Sequence, residues 1–300
     1  MPRLMRWFSG WPLRYLHRLG ALLGWLTWLF SASYRRRVRA NAELAGVPAA
    51  QQRQAIAEAG RMVAEVPWLW LMPAGRELGP LVRWEGAEVL ERAIEAGRGT
   101  LMFTPHLGSF EVAARAIVER FGARQPLTVL YRPARKAWLR EFEEQSRARP
   151  GMATAPASLA GVRQMLRALR RGEMVGLLPD QVPPHGQGVW APLFGQPAYT
   201  MTLAAKLVQQ TGATPVMLWC ERLPRGEGFV MHVEQWGEAL PPAEEAGKAG
   251  GEAQEAAQVA AAAVINRALE RVIAAAPAQY LWGYHRYKRP RQPQPGQPAE

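Results

Sequence analysis

A histidine and a glutamate lie five residues apart where an apolar segment gives way to a helical one. His106 and Glu111 follow residues 99–104, whose apolar side chains predict a strand, and precede residues 112–121, which predict a helix. On one continuous helix these two side chains would point about 140° apart. Pro105 favours an extended residue before it, and glycine at position 108 permits a tight turn. A loop at this junction therefore allows the two side chains to meet.

This pair predicts general-base chemistry on a hydroxyl group. His106 can take the proton while Glu111 orients the imidazole ring and stabilises its charged form. The activated oxygen can then attack an activated acyl group. Backbone N–H groups at the start of the next helix can stabilise negative charge on the reacting oxygen. The alternative is an ordinary surface or core pair with no catalytic role, so the choice depends on the rest of the chain.

Charge and cysteine content limit the classes of partner and site. The 300 residues include 37 Lys and Arg against 25 Asp and Glu, a net charge of +12. Such a surface favours polyanions, namely nucleic acid, anionic lipid or an acidic carrier protein. The single cysteine, Cys220, excludes an intrachain disulfide, and its apolar neighbours predict a buried strand position. The sequence has neither zinc-site spacing nor a Walker-type phosphate loop.

The first forty residues combine arginines with an apolar stretch. Residues 19–30 are uncharged, contain Trp25 and Trp28, and have basic residues on both sides, including the cluster 35–37. This stretch is shorter than the roughly 20 residues that a spanning helix needs. The pattern predicts a membrane anchor over residues 1–40, as an interfacial or re-entrant helix beside anionic headgroups. A buried amphipathic helix of a soluble protein is the alternative, and a spanning topology stays open.

Alternating strand and helix patterns over the rest of the chain predict an α/β fold. We expect a central mixed, mainly parallel sheet flanked by helices, as a single domain over residues 41–288, followed by a disordered tail over 289–300. Ligands of such sheets bind beyond the carboxyl ends of the strands, where His106 and Asp180 both lie. The predicted strands are 99–104, 126–131, 173–178, 214–220 and an antiparallel 228–235. The predicted helices are 49–72, 86–97, 109–122, 134–148, 159–171, 200–211 and 252–275.

Further residues at predicted element ends can contact a substrate. Arg132, after the strand 126–131, can bind a phosphate or an oxyanion, or be an ordinary loop arginine. Asp180 can orient a base, hold a substrate hydroxyl or start a turn. Thr200 is a candidate N-cap at a second anion-binding helix start. The segment 280–289 mixes aromatic and basic residues, and can cover the cleft, hold a lipid headgroup or stack on single-stranded nucleic acid.

Taken in order, these motifs resemble those of the lipid A biosynthesis acyltransferases, the lauroyl/myristoyl late acyltransferase family of Gram-negative bacteria. The resemblance covers nearly the whole chain outside the loop near 240–251 and the tail. It is carried by the basic and apolar anchor, the His-x4-acid segment 106–111, Tyr131-Arg132-Pro133, the residues 171–173 that lead into 178–181, Phe194-Gly195 with Thr200, and the segment 279–288.

The resemblance implies a bacterial inner-membrane enzyme that acts at the cytoplasmic leaflet, with a core like that of the glycerolphosphate acyltransferases. Such enzymes move a fatty acyl chain from acyl-carrier protein to a hydroxyl of a lipid A precursor of the Kdo-lipid IVA type. By this analogy His106 is the base and Glu111 its partner. Roles in substrate binding are carried over to Arg132, Asp180, Gln181, Thr200, His285 and Arg286.

The same resemblance implies that the reaction needs no metal or bound cofactor, because acyl-carrier protein supplies the acyl group as a substrate. The expected partners are acyl-carrier protein, an anionic lipid A precursor and the inner membrane, but not nucleic acid. One alternative is acyl transfer to another acceptor, such as a glycerolipid, an ornithine lipid or a glycolipid. A second alternative is a non-catalytic basic protein that binds a membrane surface or nucleic acid. A serine hydrolase is disfavoured because Gly-x-Ser-x-Gly is absent from the sequence.

Overall fold

A computed structural model describes residues 9–73, 75–131, 149–242 and 251–291. Three sequence predictions fall wholly or largely outside these residues. They are the helix 134–148, most of the loop 237–251 and most of the tail 289–300. Arg132 also lies outside the described residues.

Within the described residues, the strands form one large sheet and one hairpin. The strands are β1 (Val82–Glu85), β2 (Thr100–Phe103), β3 (Leu127–Tyr131), β4 (Met152–Pro156), β5 (Met174–Leu177), β6 (Gly188–Leu193), β7 (Gln196–Met201), β8 (Thr214–Arg222) and β9 (Phe229–Gln235). The large sheet has the order β1-β9-β8-β2-β5-β3-β4, and β6 pairs with β7 as the antiparallel hairpin.

Five neighbouring strands of the large sheet run parallel, from β8 through β2, β5 and β3 to β4. Strand β9 is antiparallel to β8, and β1 is parallel to β9. The predicted mixed, mainly parallel sheet is therefore confirmed, as is the antiparallel strand at 228–235. Strand β2 lies inside the parallel part and every residue of it is buried. Leu101 and Phe103 contribute to the core on one face of the sheet, and Met102 to the core on the other.

Helices cover both faces of this sheet, as the α/β prediction requires. One core contains side chains of α6, α7 and α8 together with α2. The other contains side chains of α3, α4 and α5 together with α1. The helices are α1 (Leu13–Phe30), α2 (Ala32–Leu44), α3 (Ala49–Trp70), α4 (Ala87–Glu95), α5 (Phe110–Phe121), α6 (Leu159–Arg170), α7 (Leu203–Thr211) and α8 (Gly251–Ala275).

The predicted element bounds agree with the structure to within a few residues, with one informative exception. The helix predicted over 200–211 begins at Leu203, because residues 200 and 201 complete strand β7. The prediction that Thr200 caps this helix is therefore wrong. Thr202 is the residue before the helix, and its side chain makes no capping hydrogen bond.

The N-terminal helix α1 packs against α3 with the two backbones in direct contact. Glycines 20, 24 and 60 lie at the crossing, and a Cβ atom at any of them would overlap backbone atoms of the facing helix. This close contact buries one side of α1, including Leu13 and Leu16. The opposite side is apolar yet exposed, with Phe30 at the helix end 85% accessible. None of the described helices is both long and apolar enough to cross a membrane.

Candidate active site

The register of two neighbouring parallel strands brings His106 and Asp180 together. In the ladder between β2 and β5, Phe103 pairs with Leu177. His106 lies three residues beyond Phe103, and Asp180 lies three residues beyond Leu177. Both side chains therefore leave the same edge of the sheet, at the carboxyl ends of adjacent strands. This is where ligands bind in open α/β sheets.

Asp180 holds His106 by both of its carboxylate oxygens. The Nδ1 atom of His106 lies 2.7 Å from Oδ1, and the backbone N–H of His106 donates to Oδ2 at 2.9 Å. An ionised carboxylate can only accept, so Nδ1 carries a proton and donates it to Asp180. The other ring nitrogen, Nε2, is then the one that can act as a base. Asp180 thus fixes both the orientation and the tautomer of the ring.

The electrostatics of Asp180 keep its carboxylate ionised. Burial acts to raise the pKa of Asp180, but charge and hydrogen bonds from His106, with a further contribution from Arg286, hold that pKa below its ordinary value. The hydroxyl of Tyr280 also bonds to this carboxylate, and burial raises the pKa of Tyr280 well above its usual range. Tyr280 therefore stays protonated and donates to the carboxylate.

The second ring nitrogen of His106 faces an amide. The side-chain nitrogen of Gln181 lies 3.0 Å from Nε2, a position from which the amide N–H donates to the unprotonated ring nitrogen. Phe110 packs edge-on against the ring, with centroids 4.8 Å apart. A substrate hydroxyl must displace the Gln181 amide before it can give its proton to Nε2. Gln181 therefore lies directly in the predicted reaction path.

The backbone around His106 is fully tied to neighbouring segments. The carbonyl of His106 accepts from Leu281 N–H at 3.1 Å, and Ser109 N–H donates to the carbonyl of Cys220 at 2.8 Å. Gly108 adopts a positive φ of 60°, and a Cβ atom there would overlap the same Cys220 carbonyl. These bonds hold the loop at 106–109 against the neighbouring segments, and position 108 requires glycine. Cys220 is a buried strand residue, as predicted.

A buried ionic cluster lies beneath this loop. Arg222, at the end of β8, donates from Nη2 to Glu65 at 2.7 Å and to the carbonyl of Gly108 at 3.2 Å. Glu65 also accepts from the Ser109 hydroxyl and lies 2.7 Å from His17 Nε2 on α1. A second carboxylate, on Glu58, accepts from Arg222 Nη1 at 2.8 Å. The cluster links α1, α3 and β8 to the loop that carries His106.

Sequence analysis missed this cluster because its members are far apart in the chain. Arg222 and Glu65 are 157 residues apart, so neither has a local pattern that points to the other. Burial acts to raise the pKa of Glu65, but the charge of Arg222 and its hydrogen bonds, then His17, lower it to about 2. A charged residue within the otherwise apolar face of α3 was the available signal.

Glu111 lies in the first turn of α5, where the sequence placed it. Its Oε2 accepts a hydrogen bond from the indole N–H of Trp70 at 3.2 Å. The ring hydrogen bond of His106 goes to Asp180, a residue to which sequence analysis gave the orienting role as one of three options. The role of Glu111 as partner of the base stays a prediction.

Two other predicted substrate-binding residues are buried within the protein. Thr200 is fully buried and shares its hydroxyl with Asn266 and with Arg286, whose Nη2 donates to it at 2.8 Å. Arg286 also donates to the carbonyl of Tyr199 at 2.8 Å. These bonds attach residues 280–288, which we call the strap, to the β6–β7 hairpin. His285 by contrast is exposed and lines an open groove beside α2.

The described residues contain no group of three or more His, Cys, Asp or Glu side chains that could hold a metal ion. That the reaction needs neither a metal nor a cofactor stays a prediction from the sequence.

Comparison with known proteins identifies the family. A family model described as bacterial lipid A biosynthesis acyltransferase matches residues 4–289. The chain belongs to this family. The predicted family and the predicted class of enzyme, an acyltransferase of lipid A biosynthesis, are thereby confirmed.

Individual relatives agree with this assignment. The chain is 26% identical over 287 residues to the lipid A biosynthesis lauroyltransferase of Escherichia coli K12, covering 92% of this chain and 86% of that protein. It is 26% identical over 233 residues to the palmitoleoyltransferase of the same organism and to a lipid A biosynthesis acyltransferase of Shigella flexneri. In both cases the match covers 76% of this chain and 68% of the relative.

Replacing Asp180 tests which carboxylate orients this acyltransferase's base. Asp180→Asn keeps the shape but offers only one acceptor oxygen to the three donors that bond to this carboxylate, namely His106 Nδ1, the His106 backbone N–H and the Tyr280 hydroxyl, so the favoured tautomer of His106 is lost. We expect the acyl-transfer rate to fall by about 100-fold or more, with little change in KM. Glu111→Gln is the matched variant. The acyl-transfer rates of both variants are measured over a range of pH. A normal rate for a folded Asp180→Asn protein, with a large loss in Glu111→Gln, would assign the orienting role to Glu111.

The low pKa of Glu65 predicts an acid-sensitive fold. Because the pKa is about 2 in the folded state and near 4.5 when unfolded, ionised Glu65 stabilises the protein above pH 4.5. That contribution is lost as the pH falls from 4.5 towards 2. Glu65→Gln leaves Arg222 without its main partner and is expected to cost about 3–5 kcal/mol at pH 7.

Urea unfolding in detergent at several pH values measures this effect. In Glu65→Gln the free energy of unfolding should vary less between pH 4.5 and 2 than in the wild type. Glu95→Gln is the control, since Glu95 is 63% exposed and lies 3.7 Å from Arg124. Equal stability of the two variants would contradict the importance of the buried cluster.

Proposed function

We propose that this protein transfers a fatty acyl chain from acyl-carrier protein to a hydroxyl of a lipid A precursor of the Kdo-lipid IVA type. The observation that carries the proposal is the pairing of His106 with Asp180 at the carboxyl edge of the sheet, in a chain of this family. It supports a base with one defined tautomer, which is what transfer to a hydroxyl requires.

The chemistry follows from the orientation of the imidazole ring. Nε2 of His106 takes the proton of the acceptor hydroxyl as its oxygen attacks the carbonyl carbon of the thioester. Asp180 stabilises the imidazolium that forms. When the tetrahedral intermediate collapses, the carbon–sulfur bond breaks, and the leaving thiolate of the carrier receives the proton from Nε2. The new ester oxygen thus replaces sulfur, and the base returns to its starting state.

Charge on the tetrahedral oxygen needs a donor close to His106. Helix α5 begins four residues after His106, and the side chain of Ser109 does not cap it. The Ser109 hydroxyl instead donates to Glu65. The start of α5 thus presents backbone N–H groups that a reacting oxygen can accept from. Arg132 is the second candidate for this role from the sequence.

The positive charge of the chain suits both proposed substrates. A net charge of +12 attracts an acidic carrier protein and an anionic lipid, and raises the rate of encounter with either. Binding of nucleic acid, which shares this electrostatic preference, gains no support from the family. We therefore assign the charge to docking of the carrier and the lipid.

The exposed side of α1 supports attachment to the cytoplasmic face of the inner membrane. Leu22, Leu29 and Phe30 are 55%, 61% and 85% accessible, although they are apolar. Arg14 and Arg18 lie at the other end of this helix. An apolar face with flanking arginines is typical of a helix that lies in the membrane interface. The opposite face of α1 packs on α3, so the catalytic domain would lie directly at the bilayer surface.

Acyl transfer in detergent tests the proposed reaction. Purified protein is combined with a set of acyl-carrier-protein thioesters and the Kdo-modified tetra-acylated precursor, and products are read by mass spectrometry. We expect a product heavier by one acyl chain. His106→Ala removes the base and should lower the rate by about 100- to 10,000-fold. Acyl-coenzyme A thioesters of the same chain lengths serve as the control donors.

Each alternative has its own outcome in this assay. No product from a folded wild type with any carrier thioester would contradict the proposed substrates, and glycerolipid, ornithine lipid and other glycolipid acceptors would then be tested. Equal rates with coenzyme A thioesters would contradict the preference for the carrier. A normal rate in His106→Ala would contradict the assignment of the base.

Membrane attachment through α1 is tested with charged substitutions on its exposed side. Leu29→Glu with Phe30→Glu should weaken binding to vesicles of phosphatidylethanolamine and phosphatidylglycerol by at least about tenfold, because two apolar side chains no longer enter the bilayer. Leu159→Glu is the control, since Leu159 is 67% exposed on α6. Vesicle flotation measures the bound fraction. Unchanged binding of the double variant would exclude α1 as the attachment site.

A further inference from the structure

An open groove lies beside the strap, apart from the pairing of His106 with Asp180. Its volume is about 490 Å³, within the range of sites that hold small ligands. Helix α2 forms one wall, and the first two residues of β7 together with the strap form the other. The lining residues are Ser33, Arg36, Arg37, Ala40, Asn41, Leu44, Gln196, Pro197, His285 and Tyr287.

The charges along this groove have one sign. Arg36 and Arg37 line it, and the lining includes no Asp or Glu. Arg36 is exposed, so its guanidinium is open to a ligand. Arg37 is held in place by two hydrogen bonds, from Nε to the carbonyl of Gly283 at 2.9 Å and from Nη1 to Ser33 at 2.8 Å. A fixed guanidinium next to an open one suits an anion with several oxygens, such as a phosphate.

The wall of the groove is bonded to the segment that contacts His106. The side-chain amide of Asn41 donates to the carbonyls of Trp282 at 2.7 Å and Tyr284 at 2.8 Å. The backbone N–H of Leu281 donates to the carbonyl of His106 at 3.1 Å. His285 lies four positions after Leu281, so the chain between them spans at most about 14 Å. One lipid molecule can therefore reach the groove and the base together.

The position of the groove also favours a lipid. Ser33 lies three residues after Phe30, the most exposed apolar residue of α1. A lipid whose acyl chains lie along the exposed side of α1 would present its headgroup at this end of the helix. Ala40, Leu44 and Pro197 give the groove apolar walls between the cations, which suits the carbon skeleton of a headgroup.

We propose that this groove binds a phosphate group on the headgroup of the acceptor lipid, while a hydroxyl elsewhere on the same lipid reaches His106. The proposal rests on the proposed function, since it requires a lipid acceptor, and it names phosphate as the feature of that lipid that the groove selects. Arg36 and Arg37 contact the phosphate, and the His285 ring, which also lines the groove, can donate a hydrogen bond to it. The groove is not proposed to bind bulk phospholipid.

Direct binding, with a matched pair of lipids, tests the groove. The detergent-solubilised full-length protein is titrated with the phosphorylated precursor and with the same lipid after phosphatase treatment, and tryptophan fluorescence reports binding. Arg36→Glu should weaken binding of the phosphorylated lipid by at least tenfold and change binding of the dephosphorylated lipid by less than twofold. Arg53→Glu is the control, because Arg53 is exposed on α3, lies outside the groove and gives the same change in charge.

Kinetics and vesicles separate the remaining outcomes. In the transfer assay Arg36→Glu should raise KM for the phosphorylated acceptor by about the same factor and leave kcat unchanged. Equal losses for both lipids, or an equal loss in Arg53→Glu, would overturn the proposal. So would a parallel loss of affinity for phosphatidylglycerol vesicles, which would show that the groove binds bulk phospholipid.

The same data separate failure of the groove from failure of the proposed function. If transfer occurs but the wild type binds both lipids equally, the groove proposal is wrong and the function stands. If phosphate-dependent binding is seen but no acyl chain is transferred, the function is wrong while the groove still selects phosphate.

Discussion

The ion pair between Arg222 and Glu65 is the interaction on which the rest of the site depends. Both side chains are buried, and together they bond to α1 through His17 and to the loop that carries His106 through Gly108 and Ser109. Removing either partner would leave an uncompensated charge inside the protein, which is far more costly than losing a surface ion pair. Helices α1 and α3 therefore help to hold the loop that carries His106.

The rest of the site is formed by the register of β2 with β5 and by the strap. The pairing of β2 with β5 by itself puts His106 and Asp180 side by side. The strap then contacts both residues, because Leu281 bonds to the His106 carbonyl and Tyr280 to the Asp180 carboxylate. Residues from distant parts of the sequence thus hold one histidine. Asp180 and Gln181 bond to its ring, and the strap bonds to its backbone carbonyl and to the Asp180 carboxylate.

The sequence predicted those features that have a local pattern. Buried strands such as β2 and the histidine just beyond it follow from hydrophobicity and from Pro105. The short strand β4 lies at the sheet edge with mostly half-buried residues, and its pattern was too weak to predict. Thr200 was predicted to be the N-cap of the next helix, but β7 extends through Met201 and leaves Thr202 before the helix. The contact between Arg222 and Glu65 depends on tertiary packing alone, so no spacing in the sequence could indicate it.

The amide of Gln181 at Nε2 of His106 has a consequence for side reactions. In the proposed reaction, a thioester in this cleft would be open to attack by water as well as by the acceptor. In the resting arrangement the basic nitrogen already accepts a hydrogen bond from Gln181, so a water molecule must break that bond before His106 can activate it. An acceptor that is anchored elsewhere on the protein can offset this cost with its own binding free energy, whereas water cannot. In the proposed reaction, this hydrogen bond would therefore slow hydrolysis of the donor relative to acyl transfer.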